Sequence, residues 1–130
     1  MNYELINFET HGDKRGGLIS IEQFKNIPFD IKRVYYIFDT KNDVVRGKHS
    51  HKNLEQVLIC VSGKCTIKLD NGKEILEIDL NSPNKGLLIK SNIWREMYNF
   101  SDNCVLLVLA NDFYHEEDYI RDYEEFIRSI

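Results

Sequence analysis

Residues 46–63, RGKHSHKNLEQVLICVSG, decide how the chain is read. His49 and His51 are separated by a single residue. In an extended strand such residues share a face, so two imidazoles converge on one place. Gln56, Leu58 and Cys60 share one parity of the strand that follows, and Ser62-Gly63 closes the run with a turn. Two histidines on one strand face indicate a metal site or a proton-transfer site, although a His-x-His pair alone is a weak signal that ordinary structural histidines also produce.

The bulk properties narrow the field. A chain of 130 residues is the size of one domain, expected here over residues 1–130, and at 42% hydrophobic it can bury a core. The net charge is −4 and the basic residues are scattered, so no basic face is available for nucleic acid. Apolar runs such as Cys104–Ala110 are too short to span a bilayer. MNYELINFE has neither the basic start nor the apolar stretch of a signal peptide. Cys60, Cys65 and Cys104 are odd in number and lack a C-x-x-C pair, which fits free thiols in a reducing cytoplasm.

Short runs of β-formers predict strands at Glu4–Phe8, Leu18–Glu22, Lys32–Phe38, Glu55–Val61, Cys65–Leu69, Glu74–Leu80, Gly86–Ile89, Trp94–Asn99 and Cys104–Ala110. Asp70-Asn71-Gly72 marks a hairpin, because Asn-Gly tolerates the positive φ of a tight turn. Many short strands at this spacing predict an all-β sandwich or barrel. In Asp118–Ile130 the apolar residues Tyr119, Ile120, Tyr123, Phe126, Ile127 and Ile130 recur at helical spacing. One amphipathic C-terminal helix is expected there, packed on the β-body or on a second subunit.

The pattern Gly47-x-His49-x-His51, then Gln56, then Gly63 resembles the first signature of the cupins, small jelly-roll β-barrels. In metal-binding cupins a glutamate and a third histidine complete the ligand set. Here Gln56 stands at the glutamate position and Arg95, just after Trp94, at the third histidine. Glu55 has the opposite strand parity. A guanidinium has no lone pair to donate and repels a cation, and an amide is a poor carboxylate substitute. No metal is therefore expected. Without one, the imidazoles retain their acid–base chemistry near neutral pH, and Arg95 is expected to keep a neighbouring imidazole neutral.

The resemblance then becomes closer. Arg15-Gly16-Gly17-Leu18, Ile27-Pro28-Phe29, Lys32-Arg33-Val34-Tyr35-Tyr36, Arg46-Gly47-x-His49-x-His51-Lys52 with Gln56, Gly86-Leu87, Trp94-x-Glu96, Val105–Ala110 and Asp118–Tyr123 together resemble the sugar-nucleotide 3,4-ketoisomerases, the WxcM-like cupins acting on dTDP-4-keto-6-deoxy-D-glucose. The resemblance implies a cupin barrel with one C-terminal helix. It implies a cofactor-free isomerisation that moves the carbonyl from C4 to C3, feeding 3-amino sugars of lipopolysaccharide or S-layer glycan. It also implies a homodimer with exchanged N-terminal strands.

On that basis His51 is expected to be the base at carbon and His49 its partner, with Tyr35 and Arg95 stabilising the enediolate. Arg33 and Arg46 are expected to bind the diphosphate, since a guanidinium grips two phosphate oxygens. Arg15, Gln56 and Trp94 complete the expected substrate contacts, although a tryptophan in a strand also serves as core. Arg121 is expected in the helix as a structural ion pair. The proteins it resembles carry histidine or arginine after the tryptophan, a choice linked to the configuration produced at C4. Arg95 together with Arg15 leaves the gluco and galacto products both open. A sugar-nucleotide 3,5-epimerase, a metal-dependent cupin oxygenase and a non-catalytic sugar-binding cupin are the rival readings.

Overall fold

The computed structural model describes all 130 residues. Twelve strands and one helix follow in order: β1 (Tyr3–Asn7), β2 (His11–Asp13), β3 (Gly16–Leu18), β4 (Arg33–Phe38), β5 (Arg46–His51), β6 (Gln56–Ser62), β7 (Cys65–Asp70), β8 (Ile75–Leu80), β9 (Lys85–Ile89), β10 (Trp94–Tyr98), β11 (Val105–Ala110), β12 (Tyr119–Ile120) and α1 (Tyr123–Ser129). Two antiparallel five-stranded sheets, ordered β1-β9-β6-β11-β4 and β12-β5-β10-β7-β8, pack as a jelly roll, and β2-β3 form a separate hairpin.

Period-two alternation places one face of each strand inside. Leu58, Cys60, Ile67, Leu69, Leu80, Leu87, Ile89, Leu106 and Val108 form the main core cluster. Each such buried aliphatic side chain contributes about 1.5–3 kcal/mol. The opposite face of the first sheet is covered by Phe8, just after β1, and by the segment after the hairpin, whose Ile27 and Phe29 pack with it on Val57, Ile59, Leu88 and Leu109. The outer face of the second sheet is covered by α1, where Phe126 and Ile120 enclose Trp94.

Most of the expected strands are present within a residue or two, and the Asp-Asn-Gly turn joins β7 to β8. Asp70 Oδ1 accepts from Gly72 N at 2.7 Å, and Gly72 has φ +89°. Two expectations are corrected. Leu18–Glu22 is not a strand: β3 ends at Leu18, and Asn26 draws the following chain into a turn by accepting from Glu22 N and donating to Ser20 O. The C-terminal helix begins only at Tyr123, because the Asp122 side chain caps it by accepting from Glu124 N. Tyr119 and Ile120 form β12 and pair with His51 and Ser50.

Candidate active site

The local folding of β5 determines where the histidines point. Gly47 has φ +84° and Lys48 φ +53°, and the pairing of β5 with β10 slips by one residue between Arg95–His49 and Glu96–Gly47. This is a β-bulge, a device that re-aims side chains. A Cβ on Gly47 would meet the Arg95 carbonyl oxygen at 3.1 Å. Beyond the bulge, His49 and His51 share the inner face, as their spacing predicts. Their rings lie 4.9 Å apart in a T-shaped pair.

Both imidazoles are buried, and Tyr119 of β12 packs against them at 5.1 Å and 4.3 Å. His51 Nδ1 donates to Asp118 Oδ2 at 3.0 Å. The carboxylate is itself held, since its Oδ1 accepts from Asn53 N at 2.9 Å. Asp118 ends a single 3-10 turn, Glu116–Asp118, that leads into β12. The bond fixes the neutral tautomer of His51 with its proton on Nδ1 and its lone pair on Nε2. That Nε2 and both ring nitrogens of His49 are buried with no protein partner.

Arg95 is completely buried on β10 and forms no ion pair. Its Nη1 donates to Gln56 Oε1 at 2.9 Å, and Nε and Nη2 donate to the Ile93 carbonyl at 3.3 and 3.1 Å. Gln56 Nε2 in turn donates to the Tyr35 hydroxyl at 3.0 Å. Burial lowers the Arg95 pKa to about 10, so it remains charged at neutral pH. Burial first, and the Arg95 charge second, push His49 down to about 4 and His51 to about 2. Burial raises the Tyr35 hydroxyl, with the neighbouring Tyr119 adding to the effect.

A cavity of about 380 Å³ opens beside this layer, lined by Arg33, Tyr35, Ile37, Arg46, His49, Tyr114, Tyr119 and Arg121 among others. Arg33 stacks over Tyr35 and Tyr114, at 5.3 and 5.7 Å, and its Nε and Nη2 are buried and unpaired. Arg121 lies 4.3 Å over the Tyr119 ring and is paired with Glu116 at 2.8 Å. The ion pair expected of Arg121 is present, but between β12 and α1 rather than on the helix.

The structure brings together His49, His51, Tyr35, Gln56, Arg95, Arg33 and Arg46, and separates two expected residues from them. Trp94 points to the other side of β10, packs on Tyr123 and Phe126, and donates from Nε1 to Glu96. Neighbouring strand residues face opposite ways, so Arg95 inside requires Trp94 outside. Arg15 lies on the exposed β2–β3 hairpin, paired with Asp13 at 2.8 Å, outside the cavity. Arg95 sits on the strand adjacent to the histidines, and it does not reach the cavity wall. The sequence reading missed Asp118 and Tyr119 as site residues; both fell inside the expected helix.

A divalent cation does not fit this donor set. Gln56 Oε1 is already engaged by a guanidinium, and that same guanidinium fills the position where a further histidine would bind.

Comparison with known proteins agrees with the geometry. Residues 1–130 match the profile of the family described as WxcM-like, C-terminal (FdtA). The chain belongs to this family. It is 54% identical over 130 residues, all of this chain and 94% of the relative, to a TDP-4-oxo-6-deoxy-alpha-D-glucose-3,4-oxoisomerase of Aneurinibacillus thermoaerophilus. The crystal structure of a 3,4-ketoisomerase from Helicobacter canadensis matches with TM-score 0.97 and 56% identity, over 99% of this chain and 97% of that one. A histidine-to-asparagine mutant of the 3,4-ketoisomerase QdtA from Thermoanaerobacterium thermosaccharolyticum, in complex with TDP-4-keto-6-deoxyglucose, matches with TM-score 0.97 and 50% identity, over 98% and 93%.

The depressed histidines make stability depend on pH. Folded, both imidazoles are neutral; unfolded, they titrate at the ordinary 6.5. Their contribution is therefore complete above pH 6.5 and is lost as pH falls from there toward about 4, where His49 protonates in the fold. Each proton taken up on unfolding adds a slope of about 1.4 kcal/mol per pH unit. Urea unfolding between neutral pH and about pH 5 is expected to show this decline, and His49→Asn/His51→Asn to flatten it. Equal slopes in parent and variant would refute this assignment.

Proposed function

We propose that the chain is a TDP-4-keto-6-deoxyglucose 3,4-ketoisomerase working by histidine acid–base chemistry without metal. The observation that carries this reading is the asymmetric histidine pair, with Asp118 behind His51 and none behind His49. The 4-keto group acidifies the C3 proton. A base removing it becomes a cation inside a buried site, and only His51 has a carboxylate to stabilise that cation. On that ground His51 is assigned as the base that takes the proton from C3 and returns it to C4. It is fully buried behind His49 and Tyr119, which line the cavity, so the substrate carbon must reach its free Nε2 past those rings. His49, on the cavity wall with no fixed partner, moves the proton between the two oxygens. Tyr35, held by Gln56, is placed to donate to the enediolate oxygen. Arg95 acts from behind, keeping both imidazoles neutral and fixing Gln56.

The relatives support an isomerase over a 3,5-epimerase or a sugar-binding module, and the product is suited to transamination at C3 for a surface glycan. Three free buried thiols support a cytoplasmic location, which cell fractionation tests. No helix is long and apolar enough to cross a membrane.

The test is incubation with the 4-keto sugar in D₂O with chelator present, followed by NMR. We expect a 3-keto product with no label at C5. Label at C5, or dependence on an added divalent ion, would overturn the reading. His51→Asn is expected to abolish exchange at C3. His49→Asn is expected to retain that exchange while product formation falls by about 10²–10⁴-fold. The reverse pattern would exchange their roles.

The unpaired guanidinium nitrogens of Arg33, with Arg46 on the same cavity, support diphosphate binding there. Because phosphate lies remote from the reacting carbons, Arg33→Ala should raise KM more than it lowers kcat. Unchanged affinity for TDP by calorimetry would exclude this role.

A homodimer with exchanged N-terminal strands is supported by two features. Val34, Tyr36 and Phe38 are 53–61% exposed on the outer face of edge strand β4. Arg15 sits on a β2–β3 hairpin whose residues are all exposed, so exchange would carry it to the partner's cavity. Sedimentation should give a dimer for the parent and a monomer for Tyr36→Glu; a monomeric parent would rule the exchange out.

A further inference from the structure

Toward the other end of the barrel lies a second cluster of reactive side chains. Cys60 is near the end of β6, Cys65 opens β7, and Cys104 immediately precedes β11. Cys60 stands four residues along β6 from Gln56, about 13 Å at the rise of a strand, so the cluster is separate from the histidine site. All three are buried free thiols. Their sulfur atoms lie within 4.8 Å of one another, with Cys60 and Cys104 at 3.5 Å.

Those dimensions suit a metal ion. Three sulfurs each about 2.3 Å from a central ion are about 4 Å apart in a trigonal plane. No histidine or carboxylate belongs to the group, and the three cysteines lie in the main core cluster together with Leu80, Phe100 and Leu106. Zinc favours a fourth ligand in a tetrahedron. Soft thiolates without hard oxygen donors select Cu(I). A polar cavity of about 400 Å³, with Lys64, Cys65, Thr66 and Asp79 on its wall, gives an approach from solvent.

We propose that Cys60, Cys65 and Cys104 form a three-thiolate site for a soft closed-shell cation, Cu(I) in preference to Zn(II). Binding is ligand exchange without electron transfer: each thiol that becomes a ligand forms one sulfur–metal bond and releases one proton to solvent. Since β6 and β11 belong to one sheet and β7 to the other, the ion ties the two sheets together. Its gain in stability follows from binding the folded state alone.

The reduced full-length protein is titrated anaerobically with Cu(I) buffered by a competing chelator. We expect a single ion per chain, an ultraviolet sulfur-to-copper charge-transfer band and a higher Tm. Cys65→Ala and Cys104→Ala should lose the band, whereas His49→Asn should keep it, whatever becomes of ketoisomerase activity. Should the cysteine variants not fold, cadmium NMR on the parent decides, because the chemical shift counts the bound sulfurs. Failure of the parent to bind Cu(I), fewer than three sulfurs on cadmium, or copper binding that survives in Cys65→Ala would overturn the proposal. Tighter binding of Zn(II) than Cu(I) would overturn the choice of ion.

Discussion

The site depends on one buried cation. Arg95 is enclosed with no carboxylate paired to it, a placement that normally costs several kcal/mol. The cost is limited because its donors reach a main-chain carbonyl and the Gln56 amide oxygen. In return, the guanidinium fixes the Gln56 amide, which turns its own donors toward Tyr35. Burial is the larger reason that the two imidazoles stay unprotonated, and the positive charge adds to it. A hydrophobic residue at this position would leave Gln56 unpaired and remove the charge from beside the histidines.

The sheets around this cation serve as its scaffold. The pairing of β10 with β5 on one side and β7 on the other holds the Arg95 backbone at a fixed register. The bulge at Gly47 and Lys48 then decides which face of β5 the histidines take. A single-residue slip in a strand reverses every side chain, so placing the bulge before His49 sets the chemistry as firmly as the histidines themselves do. Trp94 under Phe126 anchors the opposite face of the same strand. The helix thus supports the site from the far face of β10.

What was legible in the sequence followed from short-range periodicity. His49 and His51 share a face because they are two apart, and Gln56 and Arg95 announce an altered ligand set by residue type. The two-residue alternation also located most strands. What was illegible depends on contacts distant in sequence. Asp118 lies 67 residues from His51, and its segment carries apolar residues at a spacing that fits a helix. Tyr119 and Ile120 satisfy that spacing, but the Asp122 cap starts the helix later and frees them to pair with β5. Trp94 was ambiguous by type, and its position next to Arg95 could have settled it, since adjacent residues cannot both face inward. Arg15 resembles a site residue by motif, yet within one chain it sits on an exposed hairpin outside the cavity.

In the proposed mechanism, the asymmetry of the histidine pair gives each of the two imidazoles its own task. A ketone shift requires a proton to leave one carbon and reach the next, and another to pass between the oxygens. A single histidine would have to act on both, yet the two tasks require different strengths. Removing a carbon-bound proton demands a base whose cation is stabilised, which a carboxylate on the far nitrogen supplies. Passing a proton between oxygens of similar acidity needs a group that gives it up as readily as it takes it, and a second carboxylate would hold that proton too firmly. Asp118 lies 3.0 Å from one ring only, so of two identical side chains on one strand face only His51 has its ring orientation and tautomer fixed by a carboxylate, while burial and the Arg95 charge hold both imidazoles neutral.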